Sequence, residues 1–416
     1  MTIDVATVRK QYPTLQQEVD GRRLVYLDSA ASSQTPEAVL DAMDVYYRRL
    51  RANVERGVYR LSEEATGRYE AARGRLAAFV GAPAPDGVVF TRNVTEAINL
   101  VAYSWVRRRL GPGDAILTTA MEHHANFVPW WHAAQDTGVE LRIVPVREDF
   151  HLDVAAMGEL LADGKVQFLA LGHVSNVLGT INPLRELIAL ARAANPEVVV
   201  LIDGAQAVPH LPVDVAALDV DFYGLTGHKM LGPTGIGALI AKPERLEQMP
   251  PFLTGGSMIL DVSAEQVVWN HPPHRFEAGT PMIAEAFGLH AACDVLDELG
   301  MDAVRAHERE LVATFVDALV AADGVTVYGP TDPDQRSGAI SFAVDGVHPH
   351  DLGAMLDSYG VCIRVGHHCA KPLMRWLGVN ATARASLYVY NDVDDLAPLL
   401  EGIAAARRFF AREGTP

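Results

Sequence analysis

The sequence predicts an α/β protein: a mostly parallel sheet covered by helices on both faces, followed by a smaller α+β domain. Three observations carry this. From about residue 36 to residue 240, stretches of helical period alternate with short apolar runs, the order that builds a parallel sheet. The run EVVVLID (197–203) is apolar without a period of two, as a central strand buried on both faces is. After Gly288 the texture changes to helices and strand-like runs in mixed order. No repeat, low-complexity linker or charge block separates the two parts, so they are expected to pack closely, with the cleft between them as the ligand site.

Thr35 as N-cap and Pro36 in the first turn open the first helix, because a missing N–H costs nothing there. Ser62, Glu63 and Glu64 open the next, which closes near Gly81. Then come the strand GVVFT, a helix from Thr95 to Arg109, the strand AILTTA, a helix through Trp130 and the strand ELRIVPV. A helix from Val154 to Leu161, the strand VQFLALGHVS and a helix after Pro183 lead to EVVVLID. Beyond Gly288 one helix runs to about Ala321. It is followed by GVTVYG, GAISFAV, a helix from Asp351 to Tyr359, VCIRVG and a last helix ending near Phe410.

Composition narrows the function classes. With 34 Gly and 24 Pro in 416 residues the chain is expected to be globular throughout. A net charge of −17 argues against a nucleic-acid surface, which needs clustered Lys and Arg. The N-terminal MTIDVATVRKQYP lacks an apolar signal region, and no run approaches the roughly 18 apolar residues of a membrane span. Three cysteines, Cys293, Cys362 and Cys369, argue against a disulfide framework and for a reducing compartment. The expectation is a cytoplasmic protein whose partners are small molecules or proteins, with no nucleic acid and no membrane.

Chemistry gathers at strand ends. Asp203 falls where EVVVLID stops, and ligands in open α/β sheets bind beyond the carboxyl ends of strands; the competing reading is a turn or N-cap Asp. Lys229, in LTGHKMLGPTGIG, has small and apolar neighbours instead of a charged surface. A desolvated Lys has a lowered pKa and is the usual amine for a Schiff base. A carboxylate and an imine-forming Lys together are what pyridoxal 5′-phosphate (PLP) needs, and Thr95 at a helix start adds an anion site. His123 and His124 follow AILTTA, and a His stacked on a cofactor ring fits there. Zinc held by these with His367, His368 and Cys369 is disfavoured, because no CxxC or HxxxH spacing supports it. Cys369 sits in a polar turn, RVGHHCAKP, where nearby His and Arg favour a thiolate. Cys362 and Cys293 read as core residues.

These segments, with YLDSAASSQTP, HVSNVLGTINP, DGAQAV and RFEAGTP, resemble one family over essentially the whole chain. They resemble cysteine desulfurases of the class V aminotransferase group, in the SUF-type (SufS) branch that also includes selenocysteine lyases. The resemblance implies fold type I with a seven-stranded sheet, a PLP-binding large domain over 26–290, a small domain from 1–25 and 291–416, and a homodimer. It implies Lys229 as the imine-forming residue, Asp203 at the ring nitrogen, His123 on the ring and Gln206 at its phenolic oxygen. Thr95, Glu96, Thr226, His228 and the partner subunit's Thr280 complete the cofactor set. Arg384 with Asn176 would clamp the substrate carboxylate, Arg364 would lie near the substrate thiol, and Cys369 would carry sulfur as a persulfide toward an acceptor protein of iron–sulfur assembly. Glu55 departs from the pattern, since relatives often carry His there, and no role transfers to it. An epimerase or kynureninase-like hydrolase would not need Cys369, and a non-catalytic scaffold would not need Lys229.

Overall fold

The computed structural model describes residues 3–413. Its centre is a seven-stranded sheet of β1 (Val88–Thr91), β2 (Ala115–Thr119), β3 (Glu140–Val144), β4 (Val166–Gly172), β5 (Val199–Asp203), β6 (Phe222–Thr226) and β7 (Gly237–Ala241). The spatial order is β1-β7-β6-β5-β4-β2-β3. Six strands are parallel and β7 runs against both its neighbours. Successive residues divide between two apolar clusters: Val200 and Ile202 belong to one, Val199 and Leu201 to the other. Helices therefore cover both faces, which is why EVVVLID shows no alternation.

A second sheet of β8 (Val325–Tyr328), β9 (Ala339–Val344), β10 (Arg364–Gly366) and β11 (Thr382–Ser386) is antiparallel throughout, in the order β8-β9-β11-β10. Its core of Phe315, Phe342, Leu356 and Leu399 also takes in Val25 and Leu27 from the N-terminal segment.

Several expectations need correction. The helix expected from Thr35 starts at Glu37 with Pro36 as N-cap and is preceded by a short helix, Val5–Arg9; the one expected from Ser62 starts at Arg60, two residues earlier. Ser62 instead donates its hydroxyl to the Asn53 carbonyl at 2.7 Å. The helix Val94–Val101 is capped by Asn93, whose Oδ1 accepts from Glu96 N, so Thr95 lies inside the first turn; a π-helical turn over 102–106 interrupts the run to Arg109. The long helix expected after Gly288 is two, Ile283–Leu299 and Met301–Ala321, parted at Gly300 with φ +78°. A boundary at residue 290 falls inside the first of these, which packs on the helices Glu37–Val45 and Arg60–Phe79. VCIRVG divides as well: Val361–Cys362 pairs with Val25–Tyr26, whereas Arg364–Gly366 joins the second sheet.

A buried ion pair ties β1 to its surroundings. Arg73, 2 % exposed, donates to Glu277 through both terminal nitrogens at 2.6 and 2.9 Å, and Glu277 also accepts from Phe90 N and the Tyr69 hydroxyl. Removing Glu277 leaves the Arg73 guanidinium with Glu70 alone, at 2.9 and 3.2 Å, and strips Phe90 N and the Tyr69 hydroxyl of their acceptor. Glu277→Ala should therefore lower unfolding stability by about 3–5 kcal/mol in denaturant titrations; a loss below about 1 kcal/mol would show that the pair is dispensable.

Candidate active site

A cavity of about 400 Å³ opens at the carboxyl ends of β2, β4, β5 and β6. The turn of Asn93, Val94 and Thr95 closes one side, and Arg364, His368, Cys369 and Arg384 close another. Most side chains expected to act together line it; Glu96 and Thr280 do not. The Glu96 carboxylate is turned away, accepting from the backbone and side chain of Arg92. Thr280 is exposed on its own chain, outside the cavity.

Lys229 follows β6 in a short 3-10 turn. Burial, outweighing the pull of Asp203, lowers its pKa to about 8, so a neutral amine is accessible near neutral pH. Asp203 ends β5; its Oδ1 accepts from Ala205 N at 3.0 Å, and burial raises its pKa. Among the described residues no Lys, Arg or His is ion-paired with it. His123 Nδ1 accepts from Ala125 N at 3.0 Å, and burial, then Lys229, push its pKa down to about 3. The ring is neutral, so its proton sits on Nε2. Gln206 donates from Nε2 to Ala30 O at 2.7 Å, and His228 Nδ1 lies 3.4 Å from Ser32 Oγ. The Thr226 hydroxyl is buried with no protein partner.

These residues fit PLP. A buried carboxylate without a cation suits a protonated ring nitrogen, an amine of lowered pKa suits an aldehyde, and the orphaned Thr226 hydroxyl beside a helix N-terminus suits a phosphate.

Facing them is a polar set that joins the two sheets. Arg384, at 3 % exposure on β11, donates to Asn176 O at 2.8 Å, and its Nε is buried without a partner. Asn176 donates from Nδ2 to His368 O at 2.8 Å, leaving Oδ1 unpartnered. Its loop abuts β9: Gly179 has φ +71°, and a Cβ there would lie 2.5 Å from Ala339 O. Asp28 accepts from Arg364 in two bonds, at 2.6 and 3.3 Å, and lies 3.5 Å from Arg384 Nη2. The unpartnered Arg384 Nε is a ready donor for a carboxylate, and the unpartnered Asn176 Oδ1 a ready acceptor for an N–H.

Cys369 is exposed and lines the same cavity. It and His368 both have left-handed backbones, φ +54° and +49°, which for non-glycine residues cost about 1–2 kcal/mol each. Cys293 is buried, as expected. Cys362 is only half-buried, and burial raises the pKa of both thiols. Among the described residues no three His, Cys, Asp or Glu side chains are placed to share a metal ion. Glu55 has φ +76° and takes a backbone bond from its N–H to Thr66 Oγ1.

Two residues at the site escaped sequence reasoning: Asp28, which pairs with the cavity residues Arg364 and Arg384, and Glu122. Asp28 ends the apolar run VYLD, so the strand-end argument made for Asp203 would have found it. Glu122 is buried beneath the cavity, accepting from Thr119 Oγ1, Asn126 Nδ2 and Gly172 N, and burial raises its pKa to about 7. In sequence it is one acid beside two more conspicuous histidines.

Four histidines here are held neutral by burial: His123 and His368 with pKa lowered to about 3, His173 and His228 to about 4. Unfolded, they take up protons near pH 6.5, so below that pH these four side chains bind more protons in the unfolded chain, a difference that the raised Glu122 offsets by one proton at most. Stability should fall as pH drops from 6.5 toward 4, each group contributing up to about 1.4 kcal/mol per pH unit. Denaturant midpoints measured across that range check this; a flat profile contradicts it.

The fold and the cavity define a PLP-dependent enzyme, and the family model "Aminotransferase class-V" matches residues 25–399. The chain belongs to that family. Within it, a cysteine desulfurase of Cronobacter sakazakii is 47% identical over 409 residues, 98% of this chain and 99% of its own. The crystal structure of a cysteine desulfurase of Escherichia coli, with an S-sulfonic acid group, is 39% identical with a TM-score of 0.90, covering 98% of this chain and 100% of that one. A C-DES mutant whose PLP cofactor is covalently linked to glycine is 25% identical with a TM-score of 0.81, over 95% and 98% of the two chains. No helix among the described residues is long and apolar enough to cross a membrane.

Proposed function

We propose that this chain is a PLP-dependent cysteine desulfurase that converts L-cysteine to L-alanine and keeps the sulfur as a persulfide on Cys369. The observation that carries the reading is that one cavity is lined by both Lys229, with its lowered pKa, and the exposed Cys369 thiol. An epimerase or hydrolase has no use for the second.

Asp203 would hold the ring nitrogen of the cofactor, with His123 beside the ring and Gln206 at its phenolic oxygen. Thr226, His228 and the first turn around Thr95 would hold the phosphate. When bound, PLP supplies an aldehyde that condenses with amines and an electron sink that acidifies the substrate Cα–H. Arg384 and the free Oδ1 edge of Asn176 orient the substrate's carboxylate and amine ends, and Arg364 sits near its thiol. Lys229, as neutral amine, accepts the Cα proton. The Cys369 thiolate attacks the substrate sulfur: an S–S bond forms and the Cβ–S bond breaks. Its electron pair stays on carbon, which takes a proton. Sulfur is oxidised and carbon reduced, so no outside oxidant enters.

A persulfide on an exposed turn is useful only to a thiol that can reach it. The reading therefore includes a sulfur-acceptor protein, iron–sulfur cluster assembly, a cytoplasmic location, and a homodimer in which the partner subunit's Thr280 completes the phosphate site. L-selenocysteine offers the same carboxylate and amine to Arg384 and Asn176, so both amino acids belong in the assay. The PLP-loaded protein, given L-cysteine and a reductant, should release alanine and sulfide in equal amounts; cysteine consumed without alanine would overturn the reading.

A further inference from the structure

The turn that carries Cys369 is strained at two consecutive residues, yet it is bonded on every side. Cys369 N donates to its neighbour His367 Nδ1 at 3.0 Å, and His368 is held by Asn176 and by Thr382 Oγ1 at 2.9 Å. Ala370 N donates to His367 O at 2.9 Å, and two further bonds come from His124, in the 3-10 turn that follows β2. His124 N donates to Cys369 O at 2.6 Å, and His124 Nε2 accepts from Lys371 N at 3.0 Å. Its ring lies 5.7 Å from that of His367. His124 does not line the cavity, and the chemistry above gives it no task.

We propose that His124 is a positioning residue for Cys369: bonded to the chain at Cys369 and Lys371, it latches the strained turn so that the thiol stays at the mouth of the cavity while sulfur is transferred. The inference rests on Cys369 being the sulfur carrier. A left-handed pair of non-glycine residues persists only where its surroundings over-determine it. Without the side-chain acceptor, the turn has a lower-energy backbone available and the thiol drifts from the substrate sulfur. Displacement of about 1 Å is enough to slow a positioned reaction about 10²-fold. Substrate binding and Cα deprotonation, which use Arg384, Asn176 and Lys229, do not involve the latch.

The bond from Lys371 N needs an acceptor where Nε2 sits, which Gln Oε1 approximates and Ala lacks. The test compares PLP-loaded wild type, His124→Ala and His124→Gln. Hydrogen exchange of the Lys371 amide should rise at least about tenfold in His124→Ala and return most of the way in His124→Gln. The single-turnover rate of alanine release without reductant should fall about 10–10²-fold in His124→Ala, with the Gln variant again recovering most of it. The change in visible absorbance on adding L-cysteine should keep its wild-type amplitude in both. Unchanged Lys371 exchange in His124→Ala overturns the latch, as does a Gln variant no better than Ala. Loss of the absorbance change overturns it too, since His124 would then act on the cofactor side through His123. A wild-type protein that forms no persulfide on Cys369 overturns the function proposed above, and with it the transfer role, whereas the exchange result reports the bond by itself.

Discussion

Lys229→Ala protein, supplied with PLP, is expected to lose the yellow absorbance that borohydride bleaches in wild type and to form alanine from L-cysteine at least about 10²–10⁴-fold more slowly, the range a positioned proton acceptor contributes. The physical reason lies in the surroundings of the amine. An exposed Lys would be almost wholly protonated at neutral pH, but burial lowers this one to about 8, and Asp203 offsets only part of the cost. Wild-type rates in Lys229→Ala would mean that the proton leaves the substrate by another route.

Cys369→Ser is expected to keep the absorbance change on binding L-cysteine but to yield no persulfide and less than about 1% of the wild-type alanine. The two side chains are nearly the same shape, and the residue is exposed, so folding should not change. What changes is the acceptor: a thiolate can take a sulfur atom, and a hydroxyl at neutral pH cannot. The binding groups Arg384 and Asn176 are untouched, which separates this outcome from that of Lys229→Ala. Alanine formed at the wild-type rate by Cys369→Ser would place the sulfur-accepting group elsewhere.

The readable parts of the sequence were those in which one physical cause acts on contiguous residues. The buried strands β2, β5 and β6 appear as apolar runs, and the helix Val154–Leu161 lies where its period put it. The strand Thr382–Ser386 escaped because its residues, TARAS, are small apart from one Arg and include no large apolar side chain, although all five are buried. Nothing local distinguishes it from a loop; it is a strand because β9 and β10 flank it. Caps at Thr35, Ser62 and Thr95 were misplaced by a few residues for a related reason. Each can cap in isolation, and tertiary bonds such as that from Ser62 to Asn53 decide otherwise.

The cavity was legible in the same uneven way. Asp203, Lys229 and Cys369 stand at conspicuous punctuation in the chain, and the fold brings them around one cavity. Glu96 was placed in the cofactor set by resemblance, but Arg92, four residues earlier on the same helix entry, holds its carboxylate. Asp28 and His124 act through partners more than 200 residues away, Arg364 and Lys371, which no local pattern reports.

The most direct test of the account follows the sulfur atom. PLP-loaded protein mixed with sulfur-labelled L-cysteine, without reductant or acceptor, should release one alanine per active site and carry one labelled sulfur on the peptide containing Cys369, with Cys293 and Cys362 unlabelled. Alanine released in full while Cys369 stays an unmodified thiol would contradict it.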